Sequence, residues 1–340
     1  MKIAIPLINV DPEYRGGLHS YIHGLLGGLV KEDSVNDYYL FIGKGNEKYY
    51  KRYLGKNFHI ITFSYKLGAS YIINKLILTI FTAPVLRNFH FFVKSILFRK
   101  LTKEVNDFID MEGIDIVYAT SVPIFPMKVR VKLIVSPHDI QQLRFPQYFS
   151  LLDRWSRTTN FSMTFARADV IQASSSFMRN DFIRYMKVPK NKIVLIPGGI
   201  RNNYWQFKPN KRKNRIFLSR FLLKSGYLFY PAQHWPHKNH ITLLKAIMYI
   251  KKRYFLDLKV VFSGEINPKF SYLYDFVKSN CLEKNVYFLG NVEFNDVLYA
   301  YNNAGIVVMP SEYESASLPV REAMAMGKPV IASRMVQMRK

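Results

Sequence analysis

Short runs of β-branched, aliphatic and aromatic residues alternate along this chain with stretches whose apolar positions return every three or four residues. The runs KIAIPLINV (Lys2 to Val10), YYLFIG (Tyr38 to Gly43), HIITF (His59 to Phe63), IDIVYAT (Ile114 to Thr120), VKLIVS (Val131 to Ser136), DVIQAS (Asp169 to Ser174) and KIVLIP (Lys192 to Pro197) predict strands. After the first of them, the Gly16-Gly17 turn opens a helical pattern from Leu18 to Val30, with Leu18, Ile22, Leu25, Leu26 and Leu29 on one face. A polar, basic stretch, RNNYWQFKPNKRKNR (Arg201 to Arg215), then breaks the alternation and reads as a solvated linker. Beyond it YLFYPA (Tyr227 to Ala232), LKVVFSG (Leu258 to Gly264), NVYFLG (Asn285 to Gly290), GIVVMP (Gly305 to Pro310) and PVIAS (Pro329 to Ser333) predict a second set of strands. Apolar strands separated by helices imply an α/β chain whose parallel sheets are covered on both faces.

Length agrees with this division, since 340 residues at about 150 per domain make two domains. The expected boundaries are 1–200, a linker over 201–225, and 226–340. The second domain has just produced PVIAS when the sequence stops, so it is expected to be truncated at its C-terminus, with a sheet edge uncovered. A hydrophobic fraction of 49% excludes a disordered chain. The single cysteine, Cys281, excludes an intramolecular disulfide framework and a Cys-rich zinc module, and suits a reducing cytoplasm.

Charge narrows the partners. Forty-nine Lys and Arg against 24 Asp and Glu leave a formal +25, which calls for anionic company: nucleic acid, an acidic membrane surface or a phosphorylated substrate. Met1 to Val10 reads as a buried strand and not as a secretory signal, and the longest uncharged apolar stretch, Leu76 to Leu86, is shorter than the roughly 20 residues that span a bilayer. From Lys48 to Lys103 there is no acidic residue, while Lys66, Lys75, Arg87, Lys94, Arg99 and Lys100 interleave with Phe89, Phe91, Phe92, Ile96, Leu97 and Phe98. That pattern predicts an interfacial helix on an anionic membrane surface, which would place the protein on the inner face of the cell membrane.

The densest chemistry lies in MPSEYESASLPVREAMAMGKPVIAS, Met309 to Ser333. A strand ends, a loop of small residues follows, and a helix is expected from about Leu318 to Met326. Glu314 falls in the loop and Glu322 about one turn inside the helix, where a carboxylate reaches the crevice beyond the strand ends. The helix N-terminus suits a phosphate, and a carboxylate beside a phosphate suits sugar or ribose hydroxyls. Lys238 falls in FYPAQHWPHKNH (Phe229 to His240), after a predicted strand.

These segments resemble the signature of family 4 glycosyltransferases: Pro-Ser, a Glu, a short loop, Leu-Pro-Val, a second Glu, Ala-Met-Ala and Gly-x-Pro-Val-Ile-Ala-Ser. The resemblance implies a GT-B fold, two Rossmann-like domains facing each other across a cleft, and retaining transfer of a hexose-type sugar without a bound metal or other cofactor. The donor would be a UDP- or GDP-sugar. The acceptor would be a glycan or a lipid-linked sugar in cell-surface polysaccharide synthesis. It further implies that Glu322 holds the ribose, Glu314 lies near the donor sugar, and Lys238 steadies the diphosphate. Backbone amides of Ser315, Ala316, Ser317 and Leu318 would bind sugar hydroxyls and phosphate, and Gly16 and Gly17 would approach the diphosphate. His138, in SPHDIQQLRFPQYFS, would touch the donor sugar from the acceptor-side domain, with Asp139 beside it.

Three positions depart from the family pattern. Gln233 stands where an Arg is usual, Ser315-Ala316-Ser317 replace Gly-Phe-Gly, and Gly198 replaces Asn in the turn that follows KIVLIP. The rival expectation is an inactive or partner-dependent truncated protein of the same fold. A nucleic-acid partner is not expected, because no RNA- or DNA-binding module is present and the double-Glu segment would go unexplained.

Overall fold

Every strand falls on one of the predicted runs. The computed structural model describes residues 1–13, 16–64, 98–124, 128–265 and 271–334. Over these the chain divides into two compact units, Met1–Tyr14 with Leu25–Pro197, and Arg15–Gly24 with Gly198–Lys340. The basic, aromatic residues 65–97, including the apolar stretch 76–86, lie outside the described residues.

The first unit holds a seven-stranded sheet in the order β3-β2-β1-β4-β5-β6-β7. Its strands are β1 (Lys2–Pro6), β2 (Asp37–Gly43), β3 (Phe58–Phe63), β4 (Ile116–Ala119), β5 (Lys132–Val135), β6 (Val170–Ala173) and β7 (Ile193–Leu195), and each neighbouring pair is parallel. Strand β1 is shorter than its apolar run, because the chain turns after Pro6 and the Val10 N–H bonds the Leu7 carbonyl. Among the described residues four long helices accompany the sheet: α1 (Gly17–Glu32), whose residues up to Gly24 group with the second unit, α2 (Arg99–Glu112), α3 (Leu151–Arg167) and α4 (Ser176–Met186). Local sequence sets their ends. Ser150 and Ser175 accept hydrogen bonds from the backbone N–H groups of Asp153 and Met178, and Gly113 ends α2 in the left-handed region at φ +65°.

The second unit holds a five-stranded sheet in the order β10-β9-β8-β11-β12, again parallel throughout. Its strands are β8 (Tyr227–Pro231), β9 (Val260–Ser263), β10 (Val286–Phe288), β11 (Ala304–Met309) and β12 (Val330–Ala332). The helices are α5 (Lys211–Arg220), α6 (His240–Tyr254), α7 (Tyr272–Ser279), α8 (Phe294–Asn303) and α9 (Leu318–Ala325). Phe229, Val260, Val261, Phe262, Leu244, Ile247, Ala300, Tyr301 and Val307 are wholly buried and form the centre of this core.

The stretch read as a solvated linker is ordered. Asn210 caps α5 by accepting from the Lys213 N–H at 3.0 Å, and Tyr204 and Phe217 are buried in the second unit's core. The basic residues of α5 face solvent while a single aromatic face packs, a distinction that composition averaged over the window hides.

One glycine of this unit is dictated by close approach. Gly264, directly after β9, adopts φ +136°, and a Cβ there would lie 2.7 Å from the Ala232 carbonyl oxygen and 2.8 Å from the Gln233 nitrogen. The missing side chain lets β9 press against the loop that leaves β8. Among the described residues no helix is long and apolar enough to cross a membrane.

Candidate functional site

In the second unit the strand order turns between β8 and β11: β9 and β10 extend from one side of β8, and β12 lies beyond β11. In an open parallel sheet, this reversal opens a crevice at the carboxyl ends of the two strands. The loop after β8 carries Gln233 and Lys238, and the loop after β11 carries Ser311, Glu314 and Ser317.

The structure joins these loops through charge. Lys238 Nζ donates to Glu314 Oε1 at 2.6 Å, with only 19% of the lysine side chain and 8% of the glutamate exposed. Ser311 Oγ lies 2.7 Å from the same carboxylate oxygen, and the Tyr230 hydroxyl lies 2.7 Å from both Ser311 Oγ and the Lys238 carbonyl oxygen. Two hydroxyl protons thus serve three contacts, so the chain from Tyr230 to Glu314 can shift its protons without moving heavy atoms. The Glu312 N–H adds a backbone bond to the His237 carbonyl at 2.8 Å. Each loop therefore braces the other.

Glu322, the fifth residue of α9, is buried. Its Oε2 accepts from the Tyr301 hydroxyl at 2.7 Å, and the Tyr204 hydroxyl is also a hydrogen-bond partner. Burial pushes its carboxyl above the usual carboxylate range, against the opposing pull of the two tyrosines and the Arg201 charge. Ser317, immediately before α9, sits at φ +45° and ψ +51°, a region that a glycine would occupy without strain. The Ser317 hydroxyl is buried and has no hydrogen-bond partner among the described residues. Gly198, the other departure, lies against α9: a Cβ there would meet Leu318 Cδ2 at 3.9 Å, and the Arg321 guanidinium donates to its carbonyl. Gln233 Oε1 accepts from Trp235 Nε1 at 3.1 Å, while Ser315 and Ala316 occupy the loop between Glu314 and Ser317.

Three buried histidines frame the Lys238 loop, and the sequence reading had assigned them no part. Burial lowers His234 to about 4 and His237 to about 3, the latter helped by the Lys238 charge, and holds His240 well below its ordinary value. His240 packs on Tyr230, with ring centroids 4.6 Å apart, and on Phe262 at 5.0 Å. These rings are uncharged at neutral pH and act as packing beneath the loop.

The remaining candidates lie on other elements. His138 follows β5 in the first unit and donates from Nε2 to the Thr120 carbonyl oxygen at 2.8 Å, with its pKa lowered chiefly by burial. Asp139 is engaged elsewhere: Oδ1 accepts from the Gln141 N–H at 3.3 Å and from Arg157 at 3.2 Å. Gly17 opens α1, and Gly16 precedes it, in the short segment that groups with the second unit. Among the described residues, no atom beyond its chain neighbours and its own helix backbone lies within 4 Å of a Cβ built on Gly17, so their packing does not demand a glycine there. Among the described residues no group of three or more His, Cys, Asp or Glu side chains is arranged to hold a metal ion.

Tyr204, Tyr230, Tyr301, Ser311 and Arg201 complete the cluster although none had been singled out. Tyr230 is legible in the sequence only as a strand residue. Strand pairing alone brings the loops after β8 and β11 together.

Two parallel, doubly wound sheets, the second with a buried charged network at its carboxyl edge, define a GT-B type of protein. Residues 16–203 match the family described as Glycosyltransferase Family 4, and residues 212–340 match Glycosyl transferases group 1. The chain belongs to glycosyltransferase family 4. O-antigen chain mannosyltransferase B of Escherichia coli is 27% identical over 202 residues, covering 59% of this chain and 52% of the relative. O-antigen chain mannosyltransferase RfbU of Salmonella typhimurium is 26% identical over 199 residues, 58% of this chain and 51% of the relative. These matches thus span about half the length of both relatives. Among solved structures, Anabaena HepE in complex with UDP and glucose superposes with a TM-score of 0.67 at 16% identity, over 99% of this chain and 82% of that one.

Proposed function

We propose that this chain transfers a hexose-type sugar from a nucleoside-diphosphate sugar to a glycan or lipid-linked acceptor in cell-surface polysaccharide synthesis, with retention of anomeric configuration. The observation that carries the reading is the Lys238–Glu314 pair at 2.6 Å, formed between loops from the carboxyl ends of neighbouring strands. Family membership and the O-antigen mannosyltransferase relatives support the same class of reaction.

In this account Lys238 places a positive charge where the bond from sugar to diphosphate breaks and negative charge grows on the leaving group. Glu314 holds the ammonium in place and lies beside the sugar. Glu322, oriented by Tyr301 and Tyr204, accepts hydrogen bonds from the ribose with its remaining lone pairs. The unpartnered Ser317 hydroxyl and the amides of Ser315, Ala316 and Leu318 face the phosphate or sugar oxygens. Gln233, a neutral donor where the family has a cation, leaves Lys238 a larger share of the charge. Gly16 and Gly17 let the backbone approach the diphosphate, and His138 orients the donor sugar. The donor is a substrate, and the reading calls for no resident cofactor or metal.

A panel of UDP- and GDP-sugars tests this reading, with thermal stabilisation and mass-spectrometric turnover as the two readouts. At least one donor is expected to stabilise the protein. Glu322→Ala should weaken that stabilisation and Lys238→Ala should slow transfer. Unchanged donor response and turnover in both variants would refute the assignment.

A further inference from the structure

The opposite edge of the same sheet is built in a different way. Leu222 lies five residues before β8 begins, and Tyr254, Phe255 and Leu256 lie just ahead of β9. Strands β8 and β9 are parallel neighbours, with Leu228 opposite Val260, so both loops lie at the amino ends of adjacent strands. The Lys238–Glu314 cluster lies beyond the carboxyl ends. Leu222 and Phe255 each adopt a left-handed backbone, φ +53° and +55°, and their exposures are 82% and 89%. A bulky side chain in that region is strained, and neither gains burial in return. Tyr254, Leu256 and Tyr249 are also exposed.

Basic residues flank both loops. Lys252 and Arg253 close α6 in the residues just before Tyr254, and Lys224 follows Leu222. Among the described residues these three are exposed and form no ion pair, whereas the acidic neighbour Asp257 is already held by Lys259 at 2.6 Å and Lys251 at 3.5 Å. Glu283, ahead of β10, is a further acidic side chain at this edge, with Lys284 after it, and Asp296 is paired with Arg220 two residues before Leu222. From Phe182 to Leu256 the sequence holds no Asp or Glu.

We propose that this amino edge docks on an anionic lipid surface, with Leu222, Tyr254, Phe255 and Leu256 entering the headgroup boundary and Lys224, Lys252 and Arg253 pairing with lipid phosphates. Aromatic and aliphatic tips beside unpaired cations match a bilayer interface, where the rings leave water and the charges meet a negative surface. A nucleic acid would use the cations but leave Leu222 and Leu256 in water. Docking by this edge leaves the carboxyl edge of the sheet pointing away from the lipid, open to a soluble donor. The residues of this surface lie outside the sequence span 65–97, and the proposal does not depend on the transferase reading.

Vesicle sedimentation tests it without any activity assay. The full chain should bind vesicles with about one third phosphatidylglycerol at least ~tenfold more tightly than pure phosphatidylcholine vesicles. The double variant Leu222→Gly, Phe255→Gly removes the apolar tips where glycine best tolerates the backbone, so its melting temperature should stay within a few degrees of the parent. Its binding to the anionic vesicles should fall about tenfold. Lys252→Glu with Arg253→Glu should abolish the preference for anionic over neutral vesicles. In Phe255→Trp, brominated lipids should quench the new indole. Equal binding by the parent to both vesicle types, or undiminished binding by the glycine variant, overturns the proposal. So does a glycine variant that loses self-association while keeping vesicle binding, since the edge would then belong to a second copy of the chain.

Discussion

The two ends of the second sheet answer opposite physical demands. At the carboxyl edge, charged groups are buried and bound to one another: Lys238 to Glu314, and Glu322 to Tyr301. At the amino edge, apolar groups are exposed, and among the described residues Lys224, Lys252 and Arg253 form no ion pair, while Lys251 and Lys259 pair with Asp257. Burying charge and exposing bulk both work against folding, and a protein retains such features where a ligand or surface completes them. The carboxyl edge is also braced, with hydrogen bonds crossing between loops from separate strands. Between 222–226 and 254–257 no side-chain hydrogen bond forms among the described residues, although each loop is tied to another neighbour, Ser225 to Asn303 at 2.7 Å and Asp257 to Asn285 at 2.7 Å.

The contrast can be broken most severely at Lys238. Lys238→Met leaves Glu314 buried with only Ser311 as a neutral partner, and should slow transfer by about 100- to 1000-fold. The same change should cost about 2–3 kcal/mol of stability, the low end for a buried pair because the lysine is partly exposed. Steady-state kinetics and denaturant melts read the two effects separately. Gly264→Ala comes next, since its Cβ would meet the Ala232 carbonyl at 2.7 Å in a backbone region closed to alanine. A loss of about 3 kcal/mol is expected, with the Lys238 loop displaced.

Acid should reach the histidines beneath that loop. His234 and His237 have folded pKa values lowered to about 4 and about 3 from an ordinary 6.5, so between those limits the unfolded chain binds protons that the folded chain does not. Stability therefore falls as pH drops from 6.5, by up to about 1.4 kcal/mol per pH unit for each histidine, and levels off below the folded values. Denaturant midpoints measured from pH 7 to 4 check the sign: a flat profile would show that these imidazoles are not buried. The smallest change is Glu322→Gln. Burial raises the Glu322 pKa, so neutralising it should leave the melting temperature unchanged or higher, while donor affinity falls about tenfold. A lower melting temperature with unchanged affinity would make Glu322 a structural residue.

Much of the architecture was legible because strand and helix carry different periods. KIVLIP and NVYFLG could be recognised as strands from a few residues, and β7 and β10 fall within them. The segment 201–215 misled because its charge dominated its composition, whereas Tyr204 and Phe207 carry its packing. The candidate charges Lys238, Glu314 and Glu322 were visible through motif resemblance. Their partners were not, because Tyr230 reaches Ser311 across 81 positions and Tyr301 reaches Glu322 across 21. Such contacts follow from strand order and register, which local pattern does not encode. Asp139 shows the converse: next to His138 in sequence, it spends its carboxylate on Gln141 and Arg157.

Hydrogen–deuterium exchange with and without a stabilising nucleotide sugar tests the central claim most directly, because it compares both sheet edges in one experiment. The account predicts that donor slows exchange in 232–239 and 311–322 and leaves 222–226 and 254–257 unchanged. Protection confined to the amino edge, or no protection at the carboxyl edge with a donor that the protein demonstrably binds, would contradict it.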